Sequence, residues 1–369
     1  MTWLTFLSFT LSTFMVSPYL SIYAQTLGAD LIMVGVIYAV ATFTTLVSRI
    51  PAARLAGKVG EELMIGSGLV LTATGMITYA VATSPLVLIL GSFLRGLGFG
   101  IFHPSALTLS VETEEGEVSQ PKTVGYVLTA PPIGMTIGPL IGVSLISAGS
   151  YKLLFITGAV VSLLGAFQML ARKKGDNNPI QSSQKPILSR RMAYMMFGRF
   201  VLSFSAGAFL AFLPLLAVAS MKFSEWEVGL LFMITGAANV VGHLVSGHMI
   251  GRIGAAHVAV LSLAMMSVSG ALLSVANPAL AWIAAALYGL AQGLFIPSSV
   301  FYVANIVPAE QRTMGLAYMT SMDVGSTAGS FGSAIVSDTF GLSSVFMMAS
   351  LVSASGAGAL LASSRRETA

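Results

Sequence analysis

Apolar residues come in long runs separated by polar or Gly/Pro breaks, and twelve of these runs approach the roughly 20 residues a helix needs to cross a ~30 Å hydrocarbon core. The first six cover residues 3–24, 31–48, 64–83, 86–111, 123–148 and 151–171. The second six cover residues 192–219, 228–250, 256–276, 279–305, 314–337 and 342–363. No Asp, Glu, Lys, Arg or His precedes Asp30. The pattern predicts an all-α membrane protein with twelve transmembrane helices. Between the two sets lies RKKGDNNPIQSSQKPILSRR, residues 172–191, polar, basic and broken by two prolines. It reads as a cytoplasmic linker between an N-terminal bundle, 1–171, and a C-terminal bundle, 192–369.

An internal repeat fixes how the two bundles are related. Residues 94–105, LRGLGFGIFHPS, align without gaps to residues 287–298, LYGLAQGLFIPS, with 7 identities in 12 positions. Roughly one would be expected by chance at average composition. ARLAGKVG at 53–60 pairs with GHMIGRIG at 247–254 at nearly the same offset. Two homologous six-helix halves follow, and because six is even they are parallel repeats about an axis along the membrane normal.

Composition agrees with the bilayer as solvent. Of 369 residues, 55% are hydrophobic and 9% charged, against about 25% charged in a soluble domain. The first run, Trp3 to Ala24, has no basic region before it and is too long for the core of a secretory signal, so it is kept as the first span. The net charge of +4 is a matter of topology. If the N-terminus is cytoplasmic, 14 of the 18 lysines and arginines flank spans on that side. Lys152 and Lys222 fall opposite, and Arg95 and Arg199 fall inside spans. Both termini are therefore expected in the cytoplasm, and the basic balance is not a nucleic-acid footprint. The chain has no cysteine, which excludes disulfides and thiol chemistry. Its histidines lack metal spacing, and no nucleotide loop or catalytic triad appears, so neither a metal site, a cofactor nor an enzyme is expected.

At this point the chain resembles the major facilitator superfamily of secondary transporters, over essentially its whole length. The loop after the second span is similar to that family's G-x-L-A-D-R-x-G-R-R signature, through Leu55, Ala56, Lys58 and Gly60, with Gly57 in place of the aspartate. The fourth span resembles the pattern of an intramembrane arginine followed by spaced glycines. The fifth, GMTIGPLIGV, is close to G-x-x-x-G-P-x-x-G-G, through Gly134, Gly138, Pro139 and Gly142. The resemblance implies alternating access between two halves, and the fifth-span pattern implies the proton-coupled antiporter group, mostly exporters. It also implies that spans 1, 4, 7 and 10 line a central cavity. Tyr19, Tyr23, Tyr288, Phe295 and Tyr302 are then expected along the substrate path.

Arg95 and Asp323 each lie nine residues into their spans, about 14 Å deep at 1.5 Å per residue. A lone charge there costs at least about 2.5–3.5 kcal/mol and usually pairs or lines a wet pathway. Asp323 is expected to carry the proton and Arg95 to hold it ionised until substrate or proton intervenes; a static ion pair is the plainer alternative. Arg199 lies nearer the inner end of its span and either snorkels to the interface or joins Arg95 in binding an organic anion. Gly134, Gly138 and Gly142 form one smooth face that Pro139 bends, suited to a gate or to ordinary packing. The resemblance implies an ionic latch at the inner gate near Arg54 and Lys58, with Glu112 as the partner of Arg54; a solvated loop is the plainer alternative.

The expected function is a monomeric secondary transporter in a prokaryotic cytoplasmic membrane, exporting small amphipathic or lipophilic molecules in exchange for protons. The alternatives are an organic-anion transporter using Arg95 and Arg199, and a non-transporting receptor. The receptor is disfavoured because no segment outside the spans exceeds the linker in length.

Overall fold

A computed structural model describes residues 2–111, 129–171, 189–306 and 313–365. Twelve helices occur among these residues. They are α1 (Thr2–Thr26), α2 (Leu31–Val59), α3 (Glu61–Ala80), α4 (Pro85–Val111), α5 (Ala130–Ala148), α6 (Tyr151–Leu170), α7 (Arg190–Ala219), α8 (Glu225–Ile253), α9 (Ala255–Ser274), α10 (Pro278–Ile306), α11 (Thr313–Phe340) and α12 (Leu342–Arg365). Helices suit a bilayer because each satisfies its own backbone donors and acceptors where no water can. Eleven of them are long and apolar enough to cross a membrane. The exception is α11, which carries Asp323 and many serines and glycines.

Local chemistry marks where the helices begin and end. The Asp30 side chain accepts from the Met33 amide at 2.7 Å and caps α2. Ser224 and Glu227 form a capping box at the start of α8. Pro85 and Pro278 open the equivalent helices α4 and α10, where the missing N–H costs nothing. Single glycines separate α2 from α3 and α8 from α9: Gly60 has φ 103° and Gly254 φ 82°, a region that disfavours any side chain. The helix α2 runs eleven residues past the span expected from hydropathy, continuing through Pro51 so that Arg49, Arg54 and Lys58 are helical.

The chain divides by its contacts into two units, Met1–Ile180 and Gln181–Ala369. That boundary falls inside the segment read as a linker, whose residues 172–188 lie outside the described residues. In the first unit α4 packs on α2 and α3, α1 on α5 and α6, and α3 on α6. In the second, α10 packs on α8 and α9, α7 on α11 and α12, and α9 on α12. The neighbours are the same when six is added to each helix number, so the duplication read from twelve residues extends to the packing of both units. It reaches single hydrogen bonds. Ser162 donates to Ser12 at 2.9 Å between α6 and α1, and Ser205 and Ser353 bond at 2.9 Å between α7 and α12.

Glycine sets how close these helices come. A Cβ added at Gly96 would fall on the Ala41 carbonyl of α2, and one at the equivalent Gly289 on the Thr235 carbonyl of α8. In α11, Gly325 and Gly329 lie on the Phe200 and Phe204 carbonyls of α7. With a side chain at these positions the backbones could not touch.

Overpacking costs about 1–3 kcal/mol where neighbours cannot yield. Gly329→Ala is therefore expected to lower the Tm of the detergent-solubilised protein by that equivalent. At Gly332, on the same helix, the added carbon meets nothing closer than 3.9 Å. Gly332→Ala should leave Tm unchanged or slightly higher, as alanine favours helix.

Candidate functional site

Arg95 in the first unit and Arg199 in the second lie well inside their helices, and both are half buried. In the first unit the stem of Arg95 lies over α3 at Gly75, where a Cβ would come within 2.7 Å of its Cγ. Its guanidinium carbon sits 5.6 Å from the centre of the Tyr79 ring. The Tyr79 hydroxyl is engaged at 2.7 Å with Ser92 of α4, which holds the ring in place. The Nε of Arg95 is buried without a hydrogen-bond partner. Its stem and guanidinium thus lie against α3, and a cation over an aromatic face replaces part of its lost hydration.

In the second unit Arg199 of α7 faces α11. Its Nη2 donates to the Met322 sulfur at 2.7 Å and its guanidinium carbon lies 5.7 Å from the Tyr318 ring centre. The Tyr318 hydroxyl donates to Ser299 of α10, so three helices meet around this arginine. A thioether is a weak acceptor, and Nε and Nη1 of Arg199 are buried with no acceptor. This arginine is held against α11 by its Met322 and Tyr318 contacts. Asp323 follows Met322 directly and is 3% exposed.

Three of the five expected cavity aromatics are committed to packing within their units. Tyr19 is fully buried and donates to the Pro139 carbonyl at 2.7 Å, tying α1 to the bend of α5. Tyr288 stacks on Phe209 with centroids 3.7 Å apart and accepts from Gln292 at 2.9 Å. Phe295 is fully buried against α7, where a Cβ on Gly198 would lie 3.3 Å from its ring. These rings close helix contacts within their units. Tyr23 and Tyr302 are half buried. Tyr23 donates to the Ala82 carbonyl at 3.3 Å and stacks on Tyr151 at 5.0 Å.

The glycines of α5 face α1. A Cβ on Gly134 would lie 2.5 Å from the Thr10 hydroxyl, and one on Gly138 would lie 2.9 Å from the Met15 nitrogen. Gly142 meets the Met15 carbonyl and the Tyr19 ring. Their observed role is packing inside the first unit. Arg54 and Lys58 are exposed on the last turns of α2 and Gly60 is buried at its end. Glu112, the partner expected for a latch, lies outside the described residues.

Sequence reasoning missed Arg49. It counts by position as a flanking residue beyond the second span, yet the structure leaves it 0% exposed, with its Nη1 3.5 Å from Nδ1 of His103 on α4. The longer α2 carries it into the bundle. The spacing between the two residues held no signal, since they meet only because α2 and α4 pack together.

The sequence profile of the Major Facilitator Superfamily matches residues 2–254 and 195–369. The chain belongs to that superfamily. It is an integral membrane transporter with the fold of this family. The multidrug resistance protein MdtH of Salmonella typhimurium is 29% identical over 157 residues, 42% of this chain and 39% of the relative. The match thus spans about two fifths of that protein. A variant of the nucleoside transporter NupG has a similar fold, with a TM-score of 0.83 at 16% identity over 98% of both chains. A POT family transporter in complex with 5-aminolevulinic acid also reaches 0.83, at 12% identity over 100% of this chain and 96% of the other. A bacterial homologue of the human lysosomal transporter Spinster, inward-facing and occupied, gives 0.81 at 13% identity over 99% and 95%. At these identities the likeness concerns the fold, which serves several substrate classes.

The Arg95–Tyr79 stacking is open to direct measurement. A double-mutant cycle pairing Arg95→Met with Tyr79→Leu, read from thermal unfolding in detergent, is expected to give a coupling of about 0.5–2 kcal/mol. A coupling of zero would mean that the ring contributes nothing to holding the arginine.

Proposed function

We propose that this transporter exports small amphipathic or lipophilic molecules in exchange for protons. The observation that carries this reading is a carboxyl group, Asp323, at 3% exposure well inside helix α11. An ionisable group at such a depth is costly and marks an ion or proton pathway more often than a structural site. Protonation removes its charge, and the difference in desolvation between the two forms is what a proton gradient could use to bias alternating access. The partial match to a protein named for multidrug resistance and the glycine–proline pattern of α5 support the same direction of transport.

A second reading is favoured by the two arginines. Among the described residues neither Arg95 nor Arg199 has a carboxylate partner, and three of their nitrogen atoms are buried without an acceptor. An organic anion would supply what they lack. In that case transport selects for negative charge and need not move protons.

Flux through proteoliposomes, with a pH gradient imposed and then collapsed, separates these readings. Gradient-driven uptake of a lipophilic probe with counter-movement of protons is expected in the wild type. Asp323→Asn should abolish the gradient-driven component and leave substrate exchange intact. Equal flux with and without the gradient would sink the antiport reading. Saturable flux of an anion, lost in Arg199→Gln, would establish the second.

A further inference from the structure

The first unit carries a groove of about 580 Å³ between α2 and α4, closed at one end by Met64 of α3. Its floor is buried, with Thr44 at 6%, Ala52 at 5% and Met64 at 4% exposure. Its rim stands open at Phe43, Val47, Leu55 and Phe93. No charged side chain lines it. The α2 side of the groove runs from Val40 to Leu55, about 22 Å at 1.5 Å per residue. One leaflet of hydrocarbon is about 15 Å thick, so the trough is long enough to hold a single acyl chain along its whole depth in the leaflet.

The face of α2 that carries the rim residue Val47 also carries two basic residues near the Leu55 end of the groove. Arg54 and Lys58 lie seven and eleven residues beyond Val47, each within about 20° of the same helical face at 100° per residue. Both are exposed, and neither is engaged by a carboxylate among the described residues. An apolar trough about 22 Å long thus has, near its Leu55 end, two exposed cations with no carboxylate partner among the described residues. We propose that this groove binds an anionic phospholipid, with an acyl chain along α2 and α4 and the phosphate on Arg54 and Lys58. The trough supplies the hydrophobic contact and the two cations supply preference for negative headgroups. Each basic residue near an anionic lipid surface strengthens binding by roughly fivefold.

Native mass spectrometry of the full-length protein in a neutral detergent tests this, with phosphatidylglycerol and phosphatidylcholine of identical chains as probes. The wild type is expected to retain phosphatidylglycerol in preference to phosphatidylcholine. Arg54→Ala with Lys58→Ala should weaken phosphatidylglycerol binding by about tenfold or more and erase the preference, as expected from two cations. Leu97→Trp, which fills the trough, should weaken both lipids. Equal retention of the two lipids by the wild type, or unchanged phosphatidylglycerol binding in the double variant, overturns the proposal. So does a dimer in the wild type that Leu97→Trp dissociates, because a second copy would then be the occupant. The readout is lipid binding, so it stands or falls separately from proton coupling and substrate.

Discussion

Helices in a bilayer gain nothing by hiding apolar surface from one another, because lipid is as apolar as leucine. Association must come from close van der Waals contact and from hydrogen bonds between helices. This chain meets that constraint by removing side chains where backbones cross. Gly96 and Gly289 bring α4 onto α2 and α10 onto α8, and Gly325 and Gly329 bring α11 onto α7. Buried hydroxyl pairs such as Ser205 with Ser353 then add polar contacts that lipid cannot replace. The positions of Arg95, Arg199 and Asp323 all follow from these crossings, since each sits on a helix whose register glycine has fixed.

The same crossings explain an asymmetry in the duplicated scaffold. Gly96 and Gly289 are equivalent, but the residues beside them, Arg95 and Tyr288, are not. Tyr288 completes an aromatic stack with Phe209, whereas Arg95 rests on Gly75 and Tyr79 and keeps part of its surface open. One copy uses the position for packing. In the other copy it holds a cation that packing alone does not require. Such a departure from local consistency is where function is expected to reside.

Much of the fold was legible because a bilayer imposes a simple rule: long apolar runs become helices, and a duplicated sequence becomes a duplicated bundle. The starts of α4 and α10 fall within a residue of the apolar runs, whereas the one-residue turns at Gly60 and Gly254 lie where hydropathy reads loops. The facing of side chains was not legible. In helices apolar on nearly every side, Tyr19, Tyr288 and Phe295 carry no mark that separates a cavity wall from a helix contact. Arg49 was misplaced for a related reason. Hydropathy ends the second span at the first charged residue, while the helix continues and carries that charge inward.

The one-residue turns at Gly60 and Gly254 have a mechanical meaning. A connection of a single residue has no slack, so α2 cannot slide or rotate without carrying α3, nor α8 without α9. A displacement of the exposed end of α2 therefore acts first on the start of α3.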